Sequence, residues 1–254
     1  MIFGLLGQDI SYSQSPKIFE VFQHYTKLVL TYTLFDVEKN KVKDYIDQLR
    51  KGNLQGLQVT KPYKEFVMSL CDELSETAKN IGSVNTIYMR ENKVIGDNTD
   101  AYGFDQLLAY YDISLKDQQV CILGNGGAAK SVYDVCKHHG VEPMIFKRDN
   151  SSKQPIMHKE FNYEDTHIKQ CQVIIQATSH DFDQALISKW KSLGCQPEVV
   201  IDLIYHKHTS VLSLSNQAFN GKLMLIYQAM KSFELFINQP LKHQDLIIEQ
   251  LKGV

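Results

Sequence analysis

The chain has 254 residues, 43% hydrophobic and 22% charged, enough for one large domain or two small ones with buried cores. Its 27 Lys plus Arg against 29 Asp plus Glu give a formal charge of −2, which argues against a nucleic-acid partner, since such proteins usually carry a basic face or tail. No apolar run approaches the roughly 20 residues of a membrane span, and MIFGLLGQDI lacks a signal-peptide pattern, so a cytoplasmic location without a membrane partner is expected.

Met1 to Leu6 is a short apolar run ending at Gly7, a buried first strand. Ser15 and Pro16 read as an N-cap followed by proline in the first turn of a helix, with Ile18, Phe19, Phe22 and Tyr25 on one face. Residues 29–35 read as a strand, 38–49 as a surface helix and 56–59 as a strand running into Thr60. Two short helices around 66–70 and 74–80 precede strand pattern at 83–89 and 94–95. From Asp100 the pattern lengthens: a helix at 102–111, a strand at 120–123, and a helix whose buried face is Ala128, Ala129, Val132, Val135, Cys136 and His139. Residues 144–146, 173–177 and 199–203 read as buried parallel strands, 150–169 give little signal, and amphipathic helices at 227–237 and 244–251 close the series. This is an α/β chain of two lobes. An N-terminal α/β lobe (1–101 plus 222–254) is joined to a Rossmann-like doubly wound parallel sheet (102–221), with chemistry expected in a cleft between them. The five cysteines (Cys71, Cys121, Cys136, Cys171, Cys195) include no CxxC and are expected to be reduced structural thiols.

The run from Gln119 to Lys130, QVCILGNGGAAK, passes from strand through glycines directly into a helix. Gly124, Gly126 and Gly127 lack a Cβ that would keep a phosphate away, and together with Asn125, Ala128 and the small residue Ala129 they fit the dinucleotide fingerprint GxGxxG/A. GNGGAAKS is also one substitution from the phosphate loop of nucleotide triphosphatases, and VVIDL at 199–203 resembles the acidic strand that helps hold magnesium there. Ala129 stands where that loop needs glycine, while Lys147 and Arg148, past the next strand, suit a 2′-phosphate, so dinucleotide binding is favoured. No metal is expected in that case.

Three polar clusters fall at predicted strand ends in the first lobe: SYSQSP at 11–16, VTKPYK at 59–64, and SVNT with GDNTD at 83–86 and 96–100. Singly, each has a plain structural use in caps and turns. Together with GNGGAA, the basic pair, ATS at 177–179, DLIY at 202–205 and IYQAMKSFELF at 226–236, their order resembles the shikimate dehydrogenase family almost end to end.

The resemblance implies an oxidoreductase of aromatic amino-acid biosynthesis that reversibly reduces 3-dehydroshikimate to shikimate with NADPH. It implies Lys64 and Asp100 as the catalytic pair and Ser13 and Ser15 at the substrate carboxylate. Thr60, Asn85 and Gln228 would hold ring hydroxyls, and Tyr205 would line the substrate side. Gly124, Asn125, Gly126, Gly127, Ala128, Lys147, Arg148, Asp149 and Gly221 would be on the cofactor, and the protein would be a monomer or homodimer. A lysine, with an ordinary pKa near 10.4, is protonated at neutral pH and can supply the proton that the carbonyl oxygen needs as hydride arrives.

Several residues depart from the family pattern. Tyr12 stands for histidine, Gln176 for asparagine, and the proline after Tyr205 is missing. Gln58 stands for the asparagine before VT; it adds a methylene at a crowded strand end and is expected to disturb hydrogen bonding around Thr60. Asp149 would repel a 2′-phosphate, so NAD stays open as the cofactor although two cations against one anion favour NADP. Quinate as a second substrate, a dinucleotide-binding module without turnover, and more remotely the triphosphatase also remain open.

Overall fold

The computed structural model describes residues 1–148 and 160–253. Their contacts divide the chain into two compact units, Met1–Gly103 with Leu225–Val254, and Phe104–Met224.

The first unit is built on a mixed six-stranded sheet. Strands β1 (Ile2–Gly7), β2 (Thr31–Asp36) and β3 (Gly56–Val59) are parallel; β5 (Thr86–Arg90) and β6 (Lys93–Asp97) form a hairpin, and β4 (Glu73–Leu74) is short, giving the order β2-β1-β3-β5-β6-β4. Helices α1 (Ser15–Thr26), α2 (Val42–Arg50) and α3 (Glu76–Ile81) connect them, and α7 (Lys222–Ile237) and α8 (Gln244–Lys252) return late in the chain. Side chains alternate across β3. Leu57 and Val59 join Val42, Ile46 and Leu49 of α2 in one core. Gly56 faces the other way, where any Cβ would strike the Phe236 ring, and Phe3, Phe19 and Phe22 gather around Phe233 at centroid distances of 5.2 to 5.8 Å. Each such fully buried ring contributes up to ~3 kcal/mol by leaving water. Helix α1 starts one residue earlier than expected: Gln14 is the N-cap, and Ser15 and Pro16 lie in the first turn.

The second unit has six parallel strands among its described residues, β7 (Val120–Leu123), β8 (Met144–Lys147), β9 (Glu160–Asn162), β10 (Val173–Gln176), β11 (Val199–Asp202) and β12 (Gln217–Asn220), in the order β12-β11-β10-β7-β8-β9. That is the doubly wound order, with the reversal beside β7, where ligands of such sheets bind. Two helices here are α5 (Gly127–His138) and α6 (Gln184–Ser192); α4 (Asp100–Tyr110) begins in the first unit. Trp190 of α6 is fully buried among Ile168, Phe182, Ile187 and Val211. His139 follows α5 exposed, bonded to Asp105 at 2.8 Å, and is not on the buried face; Ser131 is buried there instead.

The thiol expectation holds for three cysteines and fails for two. Burial pushes the Cys71 and Cys136 thiols up to about 12 and Cys195 to about 11, the behaviour of inert packing groups. Cys121 and Cys171 are joined in a disulfide. Adjacency of β7 and β10 brings their Cα atoms to 5.7 Å across a separation of 50 residues, a proximity that spacing along the chain does not reveal.

Candidate functional site

Backbone pairing puts the first polar group together. Val59 N–H donates to Asn85 O at 2.7 Å, and Val84 N–H donates to Lys64 O at 2.8 Å, so the segment after β3 runs beside the segment before β5. The Lys61–Pro62 peptide within it is cis. Lys64 Nζ donates to Asp100 Oδ2 at 2.5 Å. Asn85 Nδ2 donates to Asp100 Oδ1 at 2.7 Å, while its Oδ1 accepts from the Thr99 N–H at 2.8 Å, which fixes which way the amide points. Asp100 is in turn held at the head of α4 by Asn98, whose Oδ1 accepts the Asp100 N–H and whose Nδ2 donates to Ser83 O. Gln228 of α7 completes the group, its Oε1 accepting from Asn85 Nδ2 at 3.4 Å. Lys64 keeps 18% of its side chain exposed and Asp100 8%, while Asn85 and Gln228 are buried. A cation at the mouth of a buried, hydrogen-bonded amide and carboxylate cluster can donate a proton to an oxygen placed against it.

Ser13 and Ser15 form a second small group: Ser13 Oγ lies 3.2 Å from both Ser15 Oγ and Ser15 N. Thr60 is anchored by its N–H on Leu6 O at 2.9 Å. Gln58 does not turn toward Thr60, contrary to the sequence expectation. Its side chain lies on the face of β3 opposite Leu57 and Val59, and its hydrogen bonds go to Tyr32, Gln228 and Ser232 rather than to Thr60. Tyr32, Gln58, Thr99 and Ser232 are polar members of this region that sequence reasoning did not assign; the departure at 58 was the available signal.

In the second unit the glycine loop lies at the end of β7. Gly124 has φ +113°, and a Cβ there would come within 3.1 Å of Thr178 Cγ2 and 3.2 Å of Ala177 O. Its N–H donates to Phe146 O at 2.7 Å, tying the loop to β8. Gly126 is extended at the N-cap of α5 with no side-chain cap, Gly127 and Ala128 begin the helix, and Asn125 is buried. The loop suits a pyrophosphate: Gly124 packs on Thr178 and Ala177 with no room for a Cβ, and the start of a twelve-residue helix opens at the loop's edge. Gln176 Oε1, buried at the end of β10, has no hydrogen-bond partner among the described residues, and its Nε2 donates to His180 O.

The basic pair splits. Lys147 is ion-paired with Glu160, whereas Arg148 is exposed at the end of β8. Burial and the charges of Arg148 and Lys207 hold the His180 imidazole below its ordinary pKa, so positive charge gathers at this end of the sheet. Asp149 lies outside the described residues. Tyr205 sits in the turn after β11, half-buried, and Gly221 packs so closely on Leu203 that a Cβ would meet its backbone at 2.6 Å. Asp202 holds that turn, accepting from the Ile204 N–H at 2.9 Å and from the Thr209 hydroxyl.

Comparison with known proteins agrees with this layout. A sequence model of the shikimate dehydrogenase substrate binding domain matches residues 5–87. A shikimate dehydrogenase (NADP(+)) of Clostridium beijerinckii is 33% identical, covering 92% of this chain and 91% of its own. The crystal structure of shikimate dehydrogenase 1 from Peptoclostridium difficile superposes with a TM-score of 0.86 at 29% identity, covering 99% and 97% of the two chains. Shikimate 5-dehydrogenase from Listeria monocytogenes, solved with shikimate and NAD, does so with a TM-score of 0.81 at 25% identity over 98% and 96%. With likeness running through both units, the motif order and the Lys64, Asn85 and Asp100 cluster, the chain belongs to the shikimate dehydrogenase family.

Proposed function

We infer that this protein reversibly reduces 3-dehydroshikimate to shikimate with NADPH. The observation that carries the reading is the Lys64 ammonium at 2.5 Å from Asp100, backed by Asn85 and Gln228. The first unit would bind the substrate, with Ser13 and Ser15 on its carboxylate and Thr60, Asn85 and Gln228 on ring oxygens. The second unit would bind the cofactor through Gly124, Asn125, Gly126, Gly127, Ala128 and Gly221, and Tyr205 would line the substrate. The cofactor supplies the hydride. Lys64 donates the proton to the oxygen that becomes a hydroxyl, and its positive charge stabilises the alkoxide as it forms. Asp100 and Asn85 keep that ammonium in one place, so no reorganisation is needed as charge develops. The geometry is compatible with the reverse direction, in which Lys64 takes the proton back.

With Lys147 engaged by Glu160, Arg148 is the residue left to meet a 2′-phosphate, and the relatives named for NADP(+) favour that cofactor. The relative solved with NAD keeps a second reading specific: kcat/KM for NADPH and NADH should differ in favour of NADPH, and a clear NADH preference would refute the choice. Lys64→Ala should lower shikimate oxidation roughly 10²- to 10⁴-fold with NADP⁺ affinity nearly unchanged. Near-normal turnover in that variant would sink the assignment.

A further inference from the structure

Gln58 is 3% exposed, and its amide is fully engaged. Its Oε1 accepts from the Tyr32 hydroxyl at 2.6 Å, and its Nε2 donates to Gln228 Oε1 at 2.9 Å and to Ser232 Oγ at 3.3 Å. The direction of these bonds is set from α7. Ser232 donates its hydroxyl proton to the backbone carbonyl of Gln228 at 2.8 Å, so toward Gln58 its oxygen accepts. The Gln58 NH2 must therefore face α7, and its carbonyl must face Tyr32.

The same logic passes to the next amide. Gln228 Oε1 receives N–H groups from Gln58 and Asn85, and Gln228 Nε2 donates one hydrogen to Leu225 O at 2.8 Å. An amide nitrogen carries two hydrogens, which leaves one for a further acceptor. A side chain shorter by one methylene, about 1.5 Å, would not span from Tyr32 to Gln228 in this way. Glutamine, where the family pattern has asparagine, is thus the length this chain of bonds requires.

We propose that Gln58 is a positioning residue for the substrate site: held by Tyr32 and Ser232, it locks the Gln228 amide in the rotation that offers N–H, not C=O, to a ring oxygen of the substrate. This rests on the shikimate reading of the site. Without Gln58 the Gln228 carbonyl keeps only the longer Asn85 contact at 3.4 Å and its NH2 the bond to Leu225 O, so the amide is held less firmly and the substrate must restrict it on binding.

The test is a double-mutant cycle of Gln58→Leu and Gln228→Ala, read by calorimetric titration of shikimate and NADP⁺ and by steady-state kinetics. Gln58→Leu alone should weaken shikimate binding about tenfold, the worth of one well-placed hydrogen bond. KM should rise in parallel, with kcat, its pH profile and NADP⁺ binding little changed. In the Gln228→Ala background the same change should cost less than about twofold, because the residue it acts through is gone. Equal losses in both backgrounds would overturn the proposal. If Gln58→Leu does not fold, Tyr32→Phe takes its place in the cycle, with about a threefold loss expected alone and none beside Gln228→Ala. Wild-type protein that binds NADP⁺ but no shikimate would instead overturn the proposed function.

Discussion

Asp202 shows how one buried carboxylate can tie stability to pH. Burial pushes its pKa up from 3.8 to about 6, although the Thr209 hydroxyl and the Ile204 N–H both favour the charged form. A carboxylate raised in the folded state makes its contribution below the unfolded value and loses it as pH rises through about 6. Replacing it by asparagine removes the titration but keeps an acceptor for Ile204. The stability of Asp202→Asn relative to wild type should therefore improve between pH 4.5 and 7.5, by at most about 3 kcal/mol. Chemical denaturation at several pH values measures this, and a gap independent of pH would contradict it. At this scale the sequence was informative where residues belong to one of the ordered motifs, as Lys64, Asn85 and Asp100 do, and the structure brings those three together. It was silent where a distant partner decides, as Glu160 does for Lys147 and Tyr32 for Gln58.

Among the elements, the strand feeding the glycine loop, Val120 to Leu123, was legible to the residue, because apolar side chains stop abruptly at glycine. Helix α6 was missed, although Asp183 caps it by accepting from the Leu186 N–H and Ile187 and Trp190 recur at helical spacing. Its lysines and serines diluted the apolar stripe that a periodicity reading relies on. Strands β9 and β12 were missed for another reason: each is a short edge strand with no fully buried residue, so neither presents a buried run. The loop itself makes a sharp prediction. Gly124→Ala puts a side chain at φ +113° against Thr178 and Ala177, a strain of about 1–3 kcal/mol. It should lower Tm by several degrees and weaken NADP⁺ at least tenfold while shikimate affinity is retained; unchanged NADP⁺ binding would show that the cradle tolerates a Cβ.

For the molecule as a whole, the two-lobe α/β plan and the family followed from the ordered motifs, whereas the disulfide between Cys121 and Cys171 required the sheet to be known. The first unit draws on chain segments 1–103 and 225–254. Phe233 and Phe236 of α7 cover the face of β1 and β3 that carries Phe3 and Gly56, and α8 packs on α1. A fragment of residues 1–103 should consequently lack fixed tertiary structure: strong dye binding to exposed apolar surface and weak near-ultraviolet dichroism are expected, and a cooperative melting transition would count against this.

That discontinuity also sets an order of events during synthesis. The residues that close the aromatic face of β1 and β3 are made only after all 121 residues of the second unit, Phe104–Met224. At 5–20 residues per second the ribosome takes on the order of 10 s to cover that distance. Over this interval the nascent chain carries an open apolar sheet while the dinucleotide-type unit can already pack its own core. Chaperone demand in the cell would then fall on the first-made part of this protein, which is the last to be finished.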